Sequence, residues 1–150
     1  MNSVPDAGPD LDDPVILDTN VVSELVRPRP DRQVVEYLKT VSERSFITSV
    51  VLGELHLGVE LCPDGRRKRE LARFVDSVRE SYSTRTIPFT VEAARNYATA
   101  VARLQRSGIA IGVNDAYIAA TAVTTGAVLC TRNTKDFERY PGIRLHNPWA

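Results

Sequence analysis

The sequence predicts an α/β fold with a mostly parallel central sheet. Short apolar runs that suit buried strands alternate with segments of helical periodicity, and Gly, Pro or Asp residues separate the two. At 150 residues with 43% hydrophobic side chains, the chain has the size of one domain with a core of its own. We find no internal repeat and no second domain in it.

The first elements follow directly from this pattern. The apolar run at 15–17 predicts a buried strand, and the helical segment 21–26 ends at the Pro28–Pro30 punctuation. Asp31 can cap a second helix, whose apolar positions repeat at the spacing of one helical face through residue 41. Residues 45–48 predict the second strand.

The remaining elements alternate in the same way. A helix is predicted at 50–61 with Ser49 as its cap, and its internal Gly53 and Gly58 indicate close helix packing. Further helices are predicted at 66–81, at 90–107 and, with Asn114 as cap, at 114–125. The last strands are predicted at 84–89, 127–131 and 143–145.

Residues 1–14 differ from the rest in composition. They hold three Pro, one Gly and four of the 19 acidic residues, with no Lys or Arg, which predicts a disordered acidic leader before a domain at 15–150. The rest of the chain then carries 15 acidic and 19 basic residues, a net charge of +4. This mildly basic body leaves a nucleic-acid partner open.

Several classes of protein are excluded. The apolar runs are too short to span a membrane, and the acidic N-terminus is unlike a secretory signal. Cys62 and Cys130 stand far apart without a CxxC pair, so neither a zinc site nor a disulfide framework is predicted. We expect two reduced, mostly buried thiols in a cytoplasmic protein with no membrane partner.

Acidic residues follow the predicted strands. Asp18 comes directly after the first strand, where it could equally cap a turn or helix together with Thr19 or Asn20. Glu54 lies among apolar neighbours in a helix, although a solvated helix position is the simpler interpretation. Asp115 opens a helix whose dipole would hold its carboxylate ionised, and an ordinary first-turn acid is the alternative. Asp136 follows the strand at 127–131.

These carboxylates would meet at one edge of a parallel sheet. Two unit charges about 4 Å apart repel by roughly 4 kcal/mol at an effective dielectric constant near 20, so such a cluster requires a cation. Oxygen ligands without paired Cys or His favour Mg²⁺ or Mn²⁺ over Zn²⁺. Such an ion can activate a water for attack on a phosphodiester.

The motifs that carry these residues resemble a known family. They are VILDTNVVSEL at 15–25, GELHLG at 53–58, NDAYIAATA at 114–122, TRNTKDF at 131–137 and the HNPW near the C-terminus. Together they resemble PIN-domain ribonucleases, and most closely the FitB-like members of the VapC toxins from bacterial toxin–antitoxin pairs. The resemblance covers 15–149.

The resemblance implies an α/β/α sandwich and a metal-dependent endoribonuclease that uses Mg²⁺ or Mn²⁺ and leaves a 5′-phosphate. It implies Asp18 and Asp115 as metal ligands, Glu54 as a further catalytic acid and Asp136 as the fourth. Asn133 could fill the fourth place instead. The hydrogen-bonding supports would be Asn20, Thr131 and Asn133.

The resemblance also implies partners. These are a cognate VapB-like antitoxin, a second copy of the chain in a homodimer, and operator DNA bound only through the antitoxin. The RNA substrate would be a transfer, ribosomal or messenger RNA.

A dense basic run opens the helix at 66–81 and could contact RNA phosphates, or it could form a solvated helix face. Its members are Arg66, Arg67, Lys68, Arg69 and Arg73. His56 and His146 are too few and too far apart for two-histidine ribonuclease chemistry. Tyr117 could stack on a base, but core packing is the simpler interpretation.

Two other functions compete with the ribonuclease. An aspartyl-nucleophile phosphohydrolase usually has a second acid where this chain has Asn20. A PIN fold could also serve as the non-catalytic partner in an antitoxin–operator DNA complex. The intact carboxylates argue against a degenerate site.

Overall fold

The computed structural model describes residues 12–150 and shows a five-stranded parallel sheet. The strand order is β3-β2-β1-β4-β5. The strands are β1 (Val15–Leu17), β2 (Ser45–Thr48), β3 (Thr86–Ile87), β4 (Val128–Cys130) and β5 (Leu145–His146). The predicted α/β class with a parallel sheet is confirmed.

Helices flank the sheet and account for most of the chain. They are α1 (Thr19–Glu24), α2 (Arg32–Val41), α3 (Ser49–Leu61), α4 (Arg66–Ser81), α5 (Val91–Arg106), α6 (Val113–Thr125) and α7 (Thr134–Phe137), with a 3₁₀ turn at Ser42–Arg44. Helix α3 packs on α4, and α5 packs on α6. Such helical cover explains why the central strands are apolar throughout, because both faces of a parallel sheet are buried.

The register of the central strands positions the site. Leu17 of β1 pairs with Cys130 of β4, and the ladder continues one step further, where the Asp18 N–H donates to the Cys130 carbonyl at 2.9 Å. Residues that follow β1 and β4 therefore emerge side by side at one sheet edge. Every residue of these two strands is buried.

Two predicted helix caps are wrong by one or two positions. The α3 cap is Thr48, not Ser49, because the Thr48 hydroxyl accepts from the Val51 N–H at 3.0 Å. Helix α6 begins at Val113, so Gly112 and not Asn114 precedes it. The predicted Asp31 cap of α2 is confirmed, with its carboxylate accepting from the N–H groups of Gln33 and Val34.

Other bounds differ for local reasons. Helix α1 begins at Thr19, earlier than predicted, because the Asp18 carboxylate accepts the Thr19 N–H. Strand β3 covers only Thr86–Ile87, since a turn closes through the Arg85 N–H to the Tyr82 carbonyl and Pro88 has no N–H. The last strand lies slightly later than predicted, and the short helix α7 was not predicted.

The two cysteines differ in burial. Cys130 is buried in β4, and burial raises the pKa of its thiol to about 12, whereas Cys62 after α3 is half-buried. Both are free, as predicted. Within residues 12–150, no helix is long and apolar enough to cross a membrane.

The predicted acidic leader lies largely outside the described residues, which begin at Asp12. Its last two residues contact the domain. The Pro14 carbonyl accepts from the Val128 N–H at 2.9 Å, and Asp13 pairs with Arg144 at 2.9 Å. The bond from Val128 to Pro14 continues the β1–β4 pairing by one residue before β1.

Candidate active site

Asp18 is the most buried of the four acids at the sheet edge. Its side chain is 5% exposed and takes part in three hydrogen bonds. One oxygen accepts from the Thr19 N–H at 2.8 Å, and the other accepts from Thr131 Oγ1 at 2.8 Å and Asn20 Nδ2 at 3.2 Å. The residue therefore caps α1 while it presents a carboxylate at the site, so both interpretations of its position describe the same group.

Burial raises the pKa of Asp18 above its usual range. The hydrogen bonds from Thr131, Thr19 and Asn20 act in the opposite direction because they stabilise the charged form, and the nearby charge of Asp136 raises the pKa further. The sequence places these donors next to the acid or directly after β4.

Glu54 joins the site through a neighbour of Asp18. Thr19 Oγ1 donates to Glu54 Oε1 at 2.8 Å, which links α1 to the middle of α3. Burial and the charge of Asp18 raise the Glu54 pKa, while hydrogen bonds from Thr19 and Asn114 lower it. Glu54 is half-buried and faces the other acids, so the solvated-face alternative is wrong.

The pKa of Asp115 responds to the charges of the three other acids. Its pKa is raised to about 6, first by burial and then by the charges of Asp18, Glu54 and Asp136. We expected the α6 dipole to hold this carboxylate ionised. The helix end does not keep the pKa at its ordinary value, because burial and three like charges raise it, but a pKa of about 6 still leaves the carboxylate mostly ionised at neutral pH.

Asp136 and Asp115 line the same cavity. The cavity has a volume of about 290 Å³, and Lys135 and Arg139 of the α7 region also line it. Asp136 is exposed on α7, unlike the three other acids. Acidic and basic side chains thus line one cavity together.

Thr131 is the centre of the supporting network. It is fully buried, donates to Asp18, and accepts the Asn133 N–H at 3.1 Å. Asn20 spans from Asp18 to the Arg132 N–H, which its Oδ1 accepts at 3.1 Å. Asn133 joins through its main chain, and its side chain is exposed.

A model of the PIN-domain family matches residues 15–143. The chain belongs to the PIN-domain family. The expected family is confirmed, and the relatives are of the expected kind. VapC ribonuclease Y4jK of Sinorhizobium fredii is 37% identical over 137 residues, which are 90% of this chain and 97% of the relative. Toxin FitB of Neisseria gonorrhoeae is 34% identical over 90% of this chain and 98% of the relative.

Solved structures share the same fold. The structure of FitAB bound to an IR36 DNA fragment matches this PIN domain with a TM-score of 0.83 and 33% identity. The match covers 91% of this chain and 96% of the matched chain. Both the sequence and the structure of the domain therefore agree with toxins of toxin–antitoxin pairs.

The donor chemistry of this PIN domain suits a hard divalent cation, because the facing ligands are all oxygen. Among residues 12–150, no three Asp, Glu, His or Cys side chains are grouped closely enough to hold one metal ion. Mg²⁺ does not need three, since it is usually bound by one or two carboxylates and keeps several waters. A pair of carboxylates from the cluster fits that requirement.

The predicted basic run lies at the start of α4 and is partly neutralised. Arg66 pairs with Glu70 at 3.0 Å, and Lys68 pairs with Asp64 at 3.3 Å. The other members, Arg67, Arg69 and Arg73, are exposed. None of the hydrogen bonds or ion pairs of the described residues joins this run to the acidic cluster.

Sequence reasoning assigned no site role to five residues that border the site. Thr19 connects two acids, Lys135 and Arg139 line the cavity of Asp115, and Arg132 lies over the ring of Trp149. The TRNTKDF motif held a usable signal, since Arg132 and Lys135 follow the same strand as Asp136. The contact from Thr19 to a residue 35 positions away had none.

The other aromatic and histidine candidates pack as expected. The Tyr117 ring lies 4.7 Å from that of Phe89 and 5.0 Å from that of Tyr97, which forms an aromatic cluster beside α6. The His146 ring lies 4.5 Å from Tyr37. These contacts support packing roles for both residues.

Proposed function

We propose that this PIN domain is a metal-dependent endoribonuclease and the toxin of a VapBC-type toxin–antitoxin pair. The observation that carries the proposal is the convergence of four acids: Thr19 links Asp18 to Glu54 by hydrogen bonds, and Asp115 and Asp136 line one cavity. Four acids from separate segments share one electrostatic site, as a cation-dependent nuclease needs. The relatives named as ribonucleases support the same activity.

Asp18 and Asp115 are the residues that would hold Mg²⁺ or Mn²⁺. When bound, the ion would supply an activated water and would neutralise charge on the phosphodiester. Thr131, Thr19 and Asn20 would keep the Asp18 carboxylate oriented, because each donates a hydrogen bond to it. Glu54 and Asp136 would complete the acidic environment, with Asn133 as the alternative to Asp136.

The cations in and just after α7 suit an RNA substrate. Lys135 and Arg139 line the same cavity as Asp115, so a phosphate bound near the acids would also meet positive charge. The exposed Arg67, Arg69 and Arg73, together with Arg66 and Lys68, would extend RNA contact along α4 if the RNA is long enough to reach them.

The proposed partners follow from the relatives. The matched FitAB structure is bound to a DNA fragment. We therefore propose a cognate VapB-like antitoxin, operator DNA contacted through it, and a homodimer of this chain in the cytoplasm. RNA is the proposed substrate.

The test is cleavage by purified protein that has been freed of antitoxin. Total cellular RNA is incubated with Mg²⁺ or Mn²⁺, with an EDTA control, and the new 5′ ends are sequenced. Discrete 5′-phosphate ends that disappear with EDTA and in Asp115→Asn are expected.

Asp76→Asn is the matched control, because Asp76 lies on the exposed surface of α4 and loses the same charge. It should cleave like the natural sequence. Folded protein that cuts no RNA with either metal would overturn the nuclease and favour a non-catalytic partner in an antitoxin–DNA complex.

A further inference from the structure

A second pocket adjoins the acidic cluster. We call it the Trp149 pocket; it has a volume of about 260 Å³ and is lined by Asn20, Ser23, Glu24, Arg27, Arg132 and Trp149. Asn20 belongs to both places, because its Nδ2 donates to Asp18 at 3.2 Å while its Oδ1 accepts the Arg132 N–H at 3.1 Å. A ligand in this pocket would therefore lie one side chain away from the proposed catalytic carboxylate.

The pocket combines an aromatic plane with a positive charge. The Arg132 guanidinium lies 5.0 Å from the centroid of the Trp149 ring, within the range of a cation–π contact. Arg27 is paired with Glu24 at 3.3 Å. Arg132 is exposed and has no ion pair with a carboxylate of the described residues, so its charge is the uncompensated one.

Trp149 is held in place before any ligand arrives. The main-chain N–H of Trp149 donates to Asn147 Oδ1 at 2.9 Å, and Gln33 Nε2 of α2 donates to the Ala150 carbonyl at 2.8 Å. These two bonds fix residues on both sides of the indole. A prearranged aromatic wall reduces the ordering cost of binding a flat ligand.

We propose that the Trp149 pocket binds the nucleotide next to the scissile phosphate of a single-stranded RNA. Its base would stack against the Arg132–Trp149 pair, and its phosphate would face the Arg132 guanidinium. Aromatic and guanidinium planes are the usual stacking partners of unpaired bases, and arginine also matches phosphate geometry. The Ser23 hydroxyl also lines the pocket and would face the base edge. This proposal rests on the proposed ribonuclease function.

The chain offers a direct probe, because Trp149 is its only tryptophan. Asp115→Asn, chosen so that RNA is not cut, is titrated in Mg²⁺ with fluorescein-labelled oligouridine and oligoadenosine. RNA anisotropy reports binding, and unlabelled RNA in a parallel titration reports Trp149 emission. Stacking of a base should quench that emission with the same dissociation constant as the anisotropy change.

Side-chain variants separate stacking from charge. Trp149→Ala and Arg132→Ala should each weaken RNA binding by about tenfold, the order expected for the loss of one base–aromatic stack. Trp149→Phe should retain most of the affinity, and Arg132→Lys should lose affinity although it keeps the charge. Arg79→Ala is the control, since Arg79 is an exposed cation near the end of α4 and does not line the Trp149 pocket.

The outcomes distinguish this proposal from the function on which it rests. RNA that binds without quenching Trp149, or with equal affinity to Trp149→Ala, would overturn the pocket while total-RNA cleavage by the natural sequence keeps the nuclease. Loss of antitoxin affinity alone in these variants would assign the pocket to protein docking and overturn it as well. Quenching by RNA without any cleavage would keep the pocket and reject the nuclease.

Discussion

Asp18 both caps α1 and presents a carboxylate to the site. Its main chain continues the β1–β4 ladder, and its two oxygens accept from Thr19, Asn20 and Thr131. The acid itself was predictable from its place after an apolar strand. The Thr131 donor was not, because it lies 113 positions away and only the pairing of β1 with β4 brings it close.

Replacing Thr131 should weaken the fold and the site together. Thr131→Val keeps the shape of a fully buried side chain but removes the hydroxyl that donates to Asp18 at 2.8 Å. Loss of this donor to a buried carboxylate should lower the free energy of unfolding by roughly 1–3 kcal/mol, as urea unfolding near neutral pH would show.

Thr131→Ser is the control for this prediction, because it keeps the hydroxyl and loses only a methyl group. It should retain RNA cleavage better than Thr131→Val. Equal unfolding free energies for natural sequence and Thr131→Val would show that the hydrogen bond contributes no net stability.

The pH dependence of the unfolding free energy should report the raised pKa of Asp115. Its pKa is about 6 in the folded protein against an ordinary value of 3.8, so the folded state binds the proton more tightly than the unfolded chain does. The free energy of unfolding should therefore fall as pH rises from about 4 to about 6. Asp115→Asn should lack this part of the fall, and its stability advantage should grow across that window.

Urea titrations of both proteins at several pH values measure the difference. The comparison is made without divalent metal, since a bound cation would favour the ionised form. An advantage of Asp115→Asn that stays constant with pH would contradict a raised Asp115 pKa.

At the scale of elements, glycines of α3 and α6 have opposite roles. Gly126 ends α6 with a left-handed backbone, φ 68°, so Gly126→Ala should destabilise the protein by about 1 kcal/mol. Gly58 lies inside α3, and a Cβ there would meet nothing within 4 Å, so Gly58→Ala should stabilise it by about 0.5–1 kcal/mol. Thermal unfolding of the two variants checks both signs.

The same observation corrects an expectation about α3. Gly53 and Gly58 were expected to permit close helix packing, but neither is crowded in this chain. A destabilised Gly58→Ala would indicate that a partner or second copy packs there. Crowding depends on which helix lies opposite, so it cannot be inferred from the glycine alone.

If the basic run of α4 contacts RNA phosphates, it should contribute to the salt dependence of RNA affinity. Arg67, Arg69 and Arg73 are exposed, and changing all three to Gln should flatten the dependence of RNA affinity on salt. The slope of log affinity against log salt should fall by about 0.7 for each phosphate contact that is lost.

A triple change of Arg95, Arg103 and Arg106 to Gln on α5 removes the same charge and serves as the control. Anisotropy titrations at several salt concentrations give both slopes. Equal slopes for the two triple variants would show that the α4 run is an ordinary solvated helix face and does not contact RNA.

For the whole molecule, divalent cations should stabilise the fold. An ion that binds the folded acids and not the unfolded chain raises the unfolding free energy by an amount that grows with its concentration. Mg²⁺ or Mn²⁺ should therefore raise Tm in the natural sequence and act much less on Asp18→Asn. Scanning fluorimetry measures this, and an equal rise in both proteins would contradict a metal site at Asp18.

Sequence reasoning predicted the class of the fold, its five strands and the acids at the sheet edge. Those features depend on local periodicity and on the rule that parallel strands end together. It failed at α7, where four residues give too little periodicity, and at Thr19 and Trp149, whose contacts depend on tertiary approach. It did not predict the raised pKa of Asp115, because burial is a property of the whole molecule.

The hydrogen bond from the Asp18 N–H to the Cys130 carbonyl makes this acid part of the central sheet. The amide should exchange with solvent only when the sheet itself opens, on the slowest timescale of the protein. Local fluctuations cannot move the Asp18 backbone away from β4 without breaking that bond. The repulsion between the clustered carboxylates is thus a property of the folded molecule. Protons or cations reduce it, and motion of the Asp18 backbone does not.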